Sequence, residues 1–172
     1  MKKDPYVKLA RETLEHYFKT KKVLERPTDI PTDMIRKEAG VFVTLKKNGE
    51  LRGCIGTTQP TRESVADELI QNAISAAFRD PRFPSLDKEE LSKVSISVDE
   101  LKTPEPIDNI DELDPKKYGV IVYKQKNSGL LLPNIEGVNT AEDQVNIALR
   151  KAGIYKDDDY HMQRFEVIRH HE

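Results

Sequence analysis

The stretch AGVFVTLKKNGELRGCIGTT, residues 39–58, decides the fold. Two runs rich in β-branched and aliphatic residues flank Asn48-Gly49. Asn-Gly suits a two-residue type I′ turn, because both central residues of that turn need positive φ. The stretch therefore predicts a β-hairpin, and the turn predicts its register. With Lys47 opposite Glu50, Leu45 falls opposite Arg52, Val43 opposite Cys54 and Val41 opposite Gly56. Side chains alternate faces along a strand. This register puts Cys54 and Arg52 on the face of Val41, Val43 and Leu45, and turns Phe42, Thr44, Leu51, Gly53 and Ile55 the other way. Both faces are partly apolar, which places the hairpin inside a layered fold.

Outward from the hairpin, residues 61–79 show an apolar stripe at helical spacing: Val65, Ala66, Leu69, Ile70, Ala73, Ile74, Ala77 and Phe78. Thr61 is the expected N-cap, and Asp80-Pro81 ends the helix. Upstream, residues 5–19 read as an amphipathic helix, followed by a proline-containing connection. Downstream, KVSISVDEL (93–101) alternates as a strand. GVIVYKQKNSGLLLP (119–133) reads as a second hairpin turning near Asn127-Ser128-Gly129. NTAEDQVNIALRKAG (139–153) is a helix capped by Asn139 or Thr140 and stopped by Gly153, and MQRFEVIRH (162–170) is a last strand. Hairpins mixed with separate helices imply an α+β fold, mainly antiparallel sheet flanked by helices.

Composition narrows the function classes. The chain has 172 residues, 37% hydrophobic and 34% charged, with a formal net charge of −2. One domain, or one domain with a small lobe, is expected. Bulk charge gives no means of coating nucleic acid, so DNA is not an expected partner. No apolar run approaches the ~20 residues of a membrane helix, and the first residues carry no secretory h-region. A single cysteine excludes an internal disulfide and fits a reducing cytoplasm. No zinc-ligand spacing, Walker loop or dinucleotide fingerprint is present, so neither a metal nor a cofactor is expected.

That single cysteine, Cys54, stands between Gly53 and Gly56, with Arg52 close by. A thiolate attacks where a thiol does not, and a neighbouring cation favours the thiolate. Glycines without side chains would let a ligand approach the strand. Cys54 is thus the candidate catalytic residue. The same residues also describe a buried small hydrophobe in a tightly packed layer. A general base is not evident, since His16, His161, His170 and His171 all lie far from the hairpin in sequence.

Between residues 48 and 87 every basic residue is arginine: Arg52, Arg62, Arg79 and Arg82. The guanidinium fork binds carboxylate or phosphate at two points, which lysine cannot do. Arg52 with Arg79 or Arg82 is the expected anion-binding group. Structural pairing of Arg79 or Arg82 with Asp80 or Asp87 is the alternative.

LRGCIGT, AAFRDPRF, ELDPKKYGV and GLLLP…EGV, in this order, resemble the AMMECR domain family over nearly the whole chain. The resemblance implies a single domain with a larger lobe from both chain ends and a smaller one from an internal segment. It supplies no established activity. It implies association with a Memo-like protein and a radical SAM protein, and a role in RNA modification. What it carries over is the motif residues themselves, and the candidate ligand contacts among them are Arg52, Gly53, Gly56, Thr57, Arg79, Asp80 and Arg82 beside Cys54. Three readings stay open: an accessory module binding a small anionic ligand, RNA or a partner protein; a Cys54-dependent enzyme; and a purely structural motif.

Overall fold

A computed structural model describes residues 2–172. The fold is α+β, with two antiparallel four-stranded sheets and their helices. The chain forms two compact units, one running to Leu101 and resumed by Ile168–Glu172, the other comprising Lys102–Val167.

Unit 1 contains α1 (Pro5–Thr20), α2 (Thr32–Arg36), the hairpin β1 (Val41–Lys47) and β2 (Glu50–Gly56), α3 (Val65–Phe78), a 3-10 segment (Lys88–Lys93) and β3 (Val94–Leu101). Unit 2 contains β4 (Glu105–Ile107), β5 (Gly119–Lys124), β6 (Asn127–Leu131), α4 (Ala141–Ala152) and β7 (His161–Phe165). The last strand, β8 (Val167–His171), closes the first sheet in the order β2-β1-β3-β8. The second sheet runs β4-β7-β5-β6.

The core of unit 1 lies between one sheet face and α1 and α3. Val41, Val43 and Leu45 of β1 and Val65, Leu69, Ala73 and Ile74 of α3 are among its buried residues. Fully burying such a Val, Leu or Ile side chain stabilises by roughly 1.5–3 kcal/mol. Unit 2 packs Val120 and Val122 of β5 against Val145, Ala148 and Leu149 of α4.

The first turn forms as its residues dictate, with φ of 54° at Asn48 and 79° at Gly49. The register past it departs from the sequence expectation. Lys47 pairs with Glu50 and Lys46 with Leu51, but Leu45 then pairs with Gly53, Thr44 with Cys54, Val43 with Ile55 and Phe42 with Gly56. Arg52 is the extra residue of a bulge. A bulge shifts every later partner by one and so changes which face each side chain takes. Cys54 therefore shares a face with Thr44 and Phe42, away from α3, not with Val43.

Four other boundaries move. The N-cap of α3 is Ser64, whose hydroxyl accepts from Asp67 N. Thr61 turns instead to Glu68. The second hairpin turns at Gln125 and Lys126, with φ of 54° at Gln125, and Asn127, Ser128 and Gly129 lie within β6. The 162–170 stretch is not one strand, because β7 and β8 join different sheets. A short strand, β4, lies in the segment read as a connection.

Candidate functional site

Most of the LRGCIGT segment is engaged by the protein itself. Arg52 sends Nε and Nη2 to the two carboxylate oxygens of Glu90 at 3.1 and 3.0 Å. It also donates to the carbonyls of Pro84 and Ser85. Only 12% of its side chain is exposed. These bonds, with Lys47 and the backbone N–H of Asp87, hold the Glu90 carboxyl down at about 2. Arg52, expected to group with Arg79 or Arg82 around an anion, is turned by the bulge toward a largely buried carboxylate.

The glycines are occupied too. A Cβ on Gly53 would lie 2.2 Å from the carbonyl oxygen of Ala76 in α3. One on Gly56 would lie 2.2 Å from the Phe42 ring. The expected bare floor for a ligand is filled by a helix backbone and an aromatic side chain. Thr57 donates its hydroxyl to Glu68, which is 1% exposed and also takes the backbone N–H and hydroxyl of Thr61. These contacts fix the loop leaving β2.

Cys54 is held differently. Its N–H donates to Asp80 Oδ2 at 3.0 Å, and its carbonyl accepts from Arg82 Nη2 at 3.3 Å. The Asp80 side chain, 2% exposed, also takes Nε and Nη2 of Arg82 at 3.0 and 2.8 Å. Since β2 is an edge strand, the Asp80–Arg82 pair covers at Cys54 the backbone groups that a further strand would otherwise meet. The bonds from Arg82, with the N–H of Cys54, hold the Asp80 carboxyl at about 2. The two sequence motifs thus meet at one residue.

Cys54 is half-buried, and its Sγ lies 3.2 Å from Thr44 Oγ1. Thr44 pairs on its other side with Ser97 of β3, and Phe42 with Asp99. Asp99 is buried and receives Nε and Nη2 of Arg169 from β8 at 2.7 and 2.9 Å. Asp99 is the main reason the Arg169 guanidinium is held above its usual range, and the Cys54 sulfur adds to the effect. Arg82 behaves alike, with Asp80 the main partner and Cys54 a smaller one. Both guanidinium groups, each paired with a carboxylate, thus lie within electrostatic range of Cys54.

Arg82 is half exposed. Arg79, the residue after α3, is exposed. Of the histidines, His170 contacts Asp4 and stacks on Tyr6, and His161 stacks on Tyr123 in unit 2. His171 lies beside Glu172, and His16 is half-buried on α1. Sequence reasoning found Cys54, Asp80 and Arg82. It gave no sign of the Arg169–Asp99 pair, which the pairing of strands far apart in sequence brings to the same sheet.

The profile of the AMMECR1 family matches residues 7–170. A Thermotoga maritima protein is 51% identical over 96% of this chain and 97% of its own. A Clostridium acetobutylicum protein is 53% identical over 99% of this chain, which spans 36% of that longer protein. The crystal structure of an uncharacterised Pyrococcus horikoshii protein superimposes with a TM-score of 0.89 at 33% identity, covering 95% of this chain and 88% of the other. With two motifs joined at Cys54 and a profile spanning almost every residue, the chain belongs to the AMMECR1 family.

Proposed function

We propose that the protein is a binding module whose contact surface is centred on Cys54, with Arg82, Arg79 and Arg169 receiving an anionic group. The observation that carries this reading is the half-exposed Arg82 guanidinium fixed against the backbone carbonyl of half-buried Cys54. Asp80 takes Nε and Nη2 of Arg82, and Nη1 makes no hydrogen bond to another described residue. A guanidinium fixed in this way has less rotational freedom to lose on binding. A phosphate of a small molecule or of RNA fits these donors, as does a carboxylate of a partner protein. Arg52, Gly53, Gly56 and Thr57 support the surface rather than touch the ligand.

A role beside a Memo-like protein and a radical SAM protein in RNA modification, in the cytoplasm, agrees with an accessory module. The longer Clostridium relative, in which the matched region is a minor part, agrees as well. Among the described residues, no helix is long and apolar enough to cross a membrane.

Calorimetric titration with inorganic pyrophosphate and with a short single-stranded oligoribonucleotide tests the reading. Wild type should bind at least one of them, and the Arg79→Ala/Arg82→Ala protein should not, with its circular dichroism unchanged. Equal binding by both proteins, or by neither, would overturn it.

A second reading, Cys54 as a nucleophile, rests on the two guanidinium charges acting on its sulfur. Under that reading, peptide mass spectrometry of protein purified without reductant should find a covalent adduct on Cys54. An unmodified Cys54 throughout purification and substrate trials would favour binding alone.

A further inference from the structure

We propose that β8 is a strap held on unit 1 by charged and polar contacts rather than by burial, and that it opens locally before the rest of that unit. The inference is independent of what binds at Cys54. The chain leaves unit 1 after Leu101 and returns at Ile168, where β8 forms the edge strand beside β3. None of its residues belongs to the apolar cluster of unit 1, and Ile168 is 41% exposed. A short edge strand that meets the core only through the His170 ring on Tyr6 gains little from the hydrophobic effect, and such segments open first.

Its anchors are polar, and they alternate along the strand. Arg169 grips both oxygens of Asp99 on β3. His170 Nδ1 lies 2.8 Å from Asp4 Oδ2, and its ring stacks on Tyr6 with centroids 3.7 Å apart. Past the strand, Glu172 Oε1 accepts from Arg11 Nε at 3.1 Å. Asp4 has a second task, because its Oδ1 accepts from Tyr6 N at the start of α1. The first helix and the last strand therefore share one carboxylate. Two faces of the strand are used, Arg169 toward Asp99 and His170 toward α1.

Hydrogen exchange read by mass spectrometry on the intact protein tests this. Amides of residues 168–171 are compared with those of β1 at about 0.05 M and about 1 M sodium chloride, which changes the screening length several-fold. The strap should exchange at least ~100-fold faster than β1, and its rate should rise by no more than about twofold with salt while β1 stays constant, because only the Arg11–Glu172 pair is open to screening and Asp99 is buried. Asp99→Asn should raise the strap's rate further. Should that variant fail to fold, Glu172→Gln removes only an exposed pair and should raise the rate about twofold. Residues 168–171 exchanging in step with β1 at both salt concentrations would overturn the proposal.

Discussion

Each unit packs a helix on a sheet through one glycine of an edge strand. In unit 1 a Cβ on Gly53 of β2 would lie 2.2 Å from the carbonyl oxygen of Ala76. In unit 2 a Cβ on Gly129 of β6 would lie 2.2 Å from that of Ala148. The device is the same, but the neighbouring residues differ. Next to Gly53, Cys54 projects to the other face, with Thr44 and the charges of Arg82 and Arg169. Next to Gly129, Leu130 and Leu131 are aliphatic, and the Leu130 carbonyl takes Lys151. The lesson is that a glycine in a strand marks helix contact in both places. The chemistry beside Gly53 comes from the thiol and the arginines.

The largest effect should come from filling those glycines. Gly53→Ala and Gly129→Ala each force a helix backbone to shift, at a cost of about 3 kcal/mol or more. Denaturant unfolding would show it. A mild effect at Gly53 alone would break the comparison and reopen that position for a ligand.

Arg52 and Arg82 separate a structural role from a functional one. Arg52→Ala leaves Glu90, 17% exposed, without its main partner and should cost about 2–3 kcal/mol. Arg82→Ala should cost about 1–2 kcal/mol, because Asp80 keeps the Cys54 N–H. If Arg52→Ala proved neutral for stability yet abolished binding, the roles assigned to the two arginines would be reversed.

Acid sharpens the contrast between the units. Asp80 and Glu90, both in unit 1, have carboxyls held at about 2. A depressed folded value means that their stabilisation is complete above the unfolded value near ~4 and is lost as pH falls toward ~2. In unit 2 the lowered carboxyls of Glu112, Asp158 and Glu166 lie at the surface, partly exposed, where such pairs contribute little. Hydrogen exchange should therefore show unit 1 losing more protection than unit 2 between about pH 4 and about pH 2. Equal losses would contradict this.

The smallest effect concerns the sulfur. Arg169→Gln should slow alkylation of Cys54 about threefold, as one of its two neighbouring cations is lost. An unchanged rate would remove Arg169 from the site.

The sequence made the architecture legible where chemistry is local. Asn48-Gly49 specifies its turn through positive φ, and Gly153 ends α4 with φ of 68°. The bulge was not legible. It depends on Arg52 reaching Glu90, a bond across 38 residues that no alternation rule contains. That single extra residue inverted the predicted environment of Cys54. Asn127-Ser128-Gly129 misled for a related reason. It has turn composition, but Gly129 is required by the approach of α4. Cys54 and Arg82 were marked as candidates from residue type and proximity, and Asp80 as a partner for the arginines; the structure joins the three by hydrogen bonds. Arg169 was hidden because its approach depends on how a distant strand joins the sheet.

The central claim is that the Cys54 sulfur sits at a reachable surface under cationic influence while its glycines serve packing alone. Iodoacetamide labelling of the folded protein at neutral pH, followed by peptide mass spectrometry, tests it most directly. The account predicts that Cys54 is labelled in the native protein, and more slowly once Arg82 is replaced by Gln. Labelling that begins only after denaturation would contradict it.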